Sequence, residues 1–208
     1  MADRIAMQAH GLGIVEDRFP YGSWIAANAV GLGLAYGLFA LFSESIVKLG
    51  ASQDGVVSEV AAMAGLVAGG ALFVILRQRL LAPHFGGIWP GLTAGIGFTA
   101  GFIVGFFVGG PPVDFMLGVI ALGTIGDALL WRIVRHQIDR PDSLLLAGIV
   151  GWIAAAGVAV LVAVLAGEPL VDVLGENALH FVTITTLIGI AAGATGGAIE
   201  GHALRRRL

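Results

Sequence analysis

Six apolar stretches, each about as long as a bilayer is thick, decide what this chain can fold into. They run at 22–42, 59–76, 88–109, 113–131, 144–166 and 178–200. A helix needs about 20 apolar residues to cross the hydrocarbon core of a membrane. The second stretch is the shortest, with Arg77 and Arg79 at its end placed to snorkel into the headgroups. The fourth contains Asp127, which makes a re-entrant segment the alternative to a full span. The pattern predicts an all-α membrane protein: a six-helix transmembrane bundle over 22–201, a cytoplasmic N-terminal segment over 1–21 and a basic cytoplasmic tail over 202–208. Composition agrees. Hydrophobic residues make up 57% of the chain and charged ones 12%, about half the charged share of an ordinary soluble domain.

Arginine placement predicts the orientation. The connections after the second, fourth and sixth stretches carry Arg77 and Arg79, then Arg132, Arg135 and Arg140, then Arg205, Arg206 and Arg207, and the N-terminal segment adds Arg4 and Arg18. The opposite connections hold Lys48 among Glu44, Asp54, Glu59, Asp114, Glu168, Asp172 and Glu176. By the positive-inside rule both termini are expected in the cytoplasm of a cell inner membrane. The first 20 residues lack a long apolar core and carry Asp3, Arg4, Glu16, Asp17 and Arg18, so the first span is expected to act as the insertion signal.

The same count divides the chain into three helical hairpins, each turning in an acidic loop and returning to a basic end. Gly31, Gly33 and Gly37 match Gly95, Gly97 and Gly101, and Pro112-Val113-Asp114 is echoed by Pro169-Leu170-Val171-Asp172. These echoes favour a duplicated hairpin.

Small residues recur every four positions: Ala29, Gly33 and Gly37; Ala61, Gly65 and Gly69; Gly97, Gly101, Gly105 and Gly109; Ala147, Gly151, Ala155, Ala159, Ala163 and Gly167; Gly189, Gly193, Gly197 and Gly201. Lipid tails are as apolar as leucine, so helices in a membrane associate largely by close backbone approach, which such stripes permit. The expectation is packing within one bundle. A homo-oligomer interface is the alternative.

Few residues carry chemistry. Asp127 lies inside a span, where an ionisable group marks function by default. Its face carries Gly123, Thr124 and Trp131. Either it forms a buried ion pair with Arg132 or with an arginine of another hairpin, or it is an ion or proton site. Glu200 stands five residues before Arg205 as Asp127 stands five before Arg132, which points to a repeated ion pair. On the opposite side Glu168, Asp172, Glu176 and His180 follow at intervals of four. If that loop is helical, Asp172, Glu176 and His180 share one face and form a weak candidate metal site.

Much is excluded. The formal charge of −3 does not suggest a nucleic-acid partner, and with no cysteine there is no disulfide or thiolate metal site. His10, His84, His136 and His202 fall on the predicted cytoplasmic side without metal-ligand spacing, which argues against haem. Lys48, the single lysine, lies outside the spans and excludes a retinal Schiff base. No HExxH helix, GxSxG elbow or phosphate cradle is present. The run Gly126–Arg135, followed by Gly151-Trp152, resembles a glycine-rich hairpin pattern in bacterial membrane proteins of unassigned function, and it implies no activity. The expectation is a cofactor-free, non-enzymatic bundle, structural or accessory, or a subunit of a membrane assembly, whose partners are the lipid bilayer and another copy or another membrane protein. The alternative is a small permease or channel for protons or divalent cations.

Overall fold

The computed structural model describes residues 19–50, 52, 55–108, 113–137 and 141–206. They form six helices: α1 (Tyr21–Lys48), α2 (Val56–Phe85), α3 (Trp89–Val108), α4 (Val113–Val134), α5 (Asp142–Leu174) and α6 (Ala178–Arg205). Among the described residues, α1, α2, α4, α5 and α6 are each long and apolar enough to cross a membrane, which makes this a multi-pass membrane protein in its architecture. Glycine content this high would weaken helices in water. A bilayer offers backbone groups no other partner, so the helix survives there.

The helices form a closed ring. Each packs on its neighbours in the chain, and α6 returns to pack on α1. Short glycine turns allow this. Gly86 and Gly175 follow α2 and α5 with φ of 69° and 74°, a region that side chains with a Cβ rarely enter. The Asn177 side chain then caps α6 by accepting from the backbone N–H groups of Leu179 and His180 at 2.8 and 3.1 Å.

Several glycines sit where neighbouring helices approach closely. A Cβ on Gly189 would lie 2.5 Å from the Leu32 carbonyl oxygen, and one on Gly193 would strike the Asn28 carbonyl. On the facing helix, Gly33 and Gly37 admit Ile190 and Thr186, each 2.5 Å from such a Cβ. Gly97 meets Gly126 across α3 and α4, again at 2.5 Å. The α5 stripe behaves differently along its length. Gly151, Ala155 and Ala159 are buried, whereas a Cβ on Gly167 would meet nothing.

Two expectations change here. α2 has 30 residues, not the short span that ends at its arginines. Leu80-Leu81-Ala82 carry the apolar run past Arg77, which therefore sits eight residues, or roughly 12 Å, inside the end of the helix. The segment from Glu168 to His180 is not one helix. α5 runs through Pro169 to Leu174, the chain turns at Gly175, and α6 starts at Ala178.

The buried side chains fall into two apolar layers. One contains Leu32, Phe73, Phe98, Leu122, Trp152, Ala155 and Ala192. The other contains Trp24, Leu81, Leu130, Leu144 and Leu204, near the end where α2, α4 and α6 finish. A polar layer lies between them. Asn28 falls between Trp24 and Leu32, Arg77 between Phe73 and Leu81, Asp127 between Leu122 and Leu130, and Glu200 between Ala192 and Leu204.

Candidate functional site

The ring brings one ionisable residue from each even-numbered helix to a common point. Arg77 of α2 is 4% exposed, Asp127 of α4 1% and Glu200 of α6 0%. One guanidinium nitrogen, Arg77 Nη2, donates to Glu200 Oε1 at 2.5 Å and to Asp127 Oδ1 at 3.2 Å. The other, Nη1, donates to Asn28 Oδ1 of α1 at 3.3 Å. The Asn28 amide in turn donates to the Trp24 carbonyl at 2.8 Å. α5 joins through Trp152, whose indole N–H donates to Asp127 Oδ2 at 2.9 Å. Five helices thus meet in one network. Arginine suits its centre, because a planar fork reaches several acceptors at once where an ammonium would serve as a point charge.

Aromatic walls enclose the guanidinium. Its carbon lies 4.6 Å from the Trp24 ring centroid and 5.4 Å from that of Phe73. Both lie within cation–π range, so the cation is held by ring faces as well as by carboxylates.

Glycines fit the network together. A Cβ on Gly123 would run into the Trp152 ring, and one on Gly148 would run into the Asp127 carboxylate. Asp127 stands four residues after Gly123 on α4, and Trp152 four after Gly148 on α5. The two helices therefore exchange a large side chain for a glycine hole at two successive turns. α1 and α6 pack by the same device: Gly197 faces the Asn28 side chain and Gly201 the Trp24 indole.

Among the described residues, four buried polar atoms lack a hydrogen-bond partner: Trp24 Nε1, Arg77 Nε, Thr124 Oγ1 and Glu200 Oε2. Three belong to the network residues and the fourth lies one turn before Asp127. Such atoms are uncommon in folded proteins and invite an explanation.

Of the partners expected for Asp127, an arginine of another hairpin is the one present, and Arg205 is not the partner of Glu200. Arg132 and Arg205 are exposed at the helix ends and stand outside the cluster. Asp127 pairs with an arginine of another hairpin, and Glu200 shares it. Five residues of helix make about one and two-fifths turns, which points Arg132 away from Asp127, so the matching spacings identify two acids rather than two ion pairs. Trp131 donates instead to Asp142 at 3.2 Å, on the exposed joint between α4 and α5.

The candidate metal triplet is not assembled. Asp172 is on the last turns of α5, Glu176 in the turn, and His180 in the first turn of α6. The His180 ring nitrogen Nε2 lies 3.3 Å from the Gly167 carbonyl oxygen. Among the described residues, no group of three histidine, aspartate or glutamate side chains is placed to hold a metal ion.

Arg77, Asn28, Trp24 and Trp152 were not singled out by sequence as site residues. Leu80, Leu81 and Ala82 beyond Arg77 carried the signal, since they let the helix continue and place the arginine inside it rather than at its end.

Ring and cluster together define a class: a multi-pass helical membrane protein whose interior is tied by one buried arginine shared between two carboxylates. In comparisons with known proteins, no family model, no curated protein and no solved structure matches the chain.

Proposed function

We propose that this is a non-enzymatic membrane bundle, structural or accessory in role, or a subunit of a larger membrane assembly, and that the Arg77 network is its clamp. The observation that carries this reading is the position of the charged layer, with buried apolar side chains both above and below it. A transport path needs polar groups continuing from the site toward both faces. On this reading Asp127 serves to position α4, and with it the α3–α4 hairpin, against the rest of the ring.

The finer topology belongs to the same proposal. α3 has 20 residues and carries no Asp, Glu, Lys or Arg, which supports it as a sixth span. One ionisable residue from the second helix of each hairpin supports descent from a duplicated hairpin. The arginine distribution supports an inner-membrane location with both termini cytoplasmic. Reporter fusions at Gly50, Gly110 and Gly175 should be active in the periplasm, and a fusion at Leu208 should be fluorescent in the cytoplasm. A periplasmic signal from Leu208 would require an odd number of spans.

A second reading, a small cation permease, is favoured by the excess of carboxylate over guanidinium in the cluster and by the acidic residues Glu168, Asp172 and Glu176 near one end of the bundle. A double-mutant cycle separates the two. Asp127→Asn and Arg77→Gln should couple by about 0.5–3 kcal/mol in detergent stability, as contacting residues do. The cycle with Arg132→Gln should give no coupling. An Asp127→Asn protein of unchanged stability that has lost a proton or cation flux shown by the wild type in proteoliposomes would favour the permease.

A further inference from the structure

We infer that the buried cluster of Asp127 and Glu200 is a resident binding site for a single positive charge, a proton or a sodium ion, held at Glu200 Oε2. The inference concerns occupancy rather than flux, so it stands whichever reading of function holds.

Charge counting comes first. The buried ionisable side chains among the described residues are Arg77, Asp127 and Glu200, one cation and two anions. The other helices at the cluster present Asn28, Trp24 and Trp152, none of which titrates. An uncompensated negative charge in a low-dielectric layer is strongly unfavourable. One positive charge removes it, whereas a divalent ion would reverse its sign.

Bonding comes second. Arg77 serves Glu200 through Oε1 only, and Oε2 is fully buried without a partner. The Asp127 carboxylate is occupied at both oxygens, by Arg77 at one and Trp152 at the other. The two carboxyl groups meet at one guanidinium nitrogen, Arg77 Nη2, which donates to an oxygen of each. A proton on Oε2 would neutralise the buried carboxylate oxygen that Arg77 does not reach. A sodium ion would need further oxygens; Thr124 Oγ1 is a buried, unpartnered oxygen one turn before Asp127. Both occupants supply one positive charge at the same anchoring atom.

The purified full chain in detergent distinguishes them. If the occupant is a proton, infrared spectra at neutral pH should contain a protonated-carboxyl carbonyl band that shifts in deuterated water, and Tm should not respond to sodium. If it is sodium, that band should be missing, and Tm should rise by a constant increment for each tenfold increase in sodium at fixed ionic strength in choline chloride. Glu200→Gln keeps the side-chain volume and leaves Arg77 and Asp127 as a balanced pair, so it should abolish whichever response the wild type gives. Neither response in the wild type, or one that persists in Glu200→Gln, would overturn the site. Should Glu200→Gln fail to fold, the wild type decides: unfolding in sodium-free or sodium-loaded dodecyl sulfate should release one proton or one sodium per chain, and release of none would overturn the inference.

Discussion

Arg77→Met should be the most damaging single substitution in the chain, lowering stability by about 3–5 kcal/mol, the range for breaking a buried ion pair from one side. The physical reason is the two carboxylates left behind. Asp127 and Glu200 are both buried and would lose the guanidinium that donates to each of them, which leaves the cluster one positive charge short, and Asn28 would lose its donor. The loss should be largely reversible by chemistry rather than by shape. The triple variant Arg77→Met, Asp127→Asn, Glu200→Gln removes all three charges and should regain most of the stability, because a buried ion pair contributes little net free energy over a neutral packed equivalent. Arg77→Lys should fall between, since an ammonium keeps the charge but not the fork that reaches Glu200, Asp127 and Asn28 together. Unfolding in mixed micelles titrated with dodecyl sulfate would measure the series. A wild-type midpoint for Arg77→Met, or a triple variant as unstable as the single one, would show that Arg77 does not hold the bundle together.

The second large effect should come from Gly123→Leu. The Trp152 ring occupies the space any Cβ at this position would need, and its indole N–H is one of the two groups that hold Asp127. Overpacking a core typically costs 1–3 kcal/mol. Here displacement of Trp152 also breaks a hydrogen bond to a buried carboxylate, so about 3 kcal/mol or more is expected, often read as failure to accumulate in the membrane. Gly157→Leu is the control. It lies on the same helix as Trp152, is exposed, and a Cβ there meets nothing. It should accumulate and unfold like the wild type. Equal behaviour of the two variants, in either direction, would mean that α4 and α5 do not meet as described. Gly193→Leu, which would strike the Asn28 carbonyl, should resemble Gly123→Leu.

The amino-acid sequence by itself determined the class of the molecule. Stretches of about 20 apolar residues leave a chain little choice but to form helices in a bilayer, because every backbone hydrogen bond must then be made within the segment. The helices begin and end where local chemistry says they should, at Gly86 and Gly175 for two of the C-terminal ends and at Asn177 for the start of α6. Asp127 and Glu200 were also legible, as acids inside apolar runs, because their cost does not depend on where the other helices lie.

Their partner was not legible, and only the tertiary structure decided it. A salt bridge between helices depends on which faces meet, and sequence spacing reports only neighbours along one helix. Arg132 and Arg205 are close to the two acids in sequence and turn outward, whereas Arg77 lies 50 residues from Asp127 and 123 from Glu200 and bonds to both. The closing of the ring, with α6 against α1, makes that possible. The same limit hid the exchange between Gly123 and Trp152: a glycine in a helix signals a hole, and only the packed neighbour shows what fills it. It also made Asp172, Glu176 and His180 look like one face, since a regular spacing of four has meaning only while the helix continues, and this one stops at Gly175.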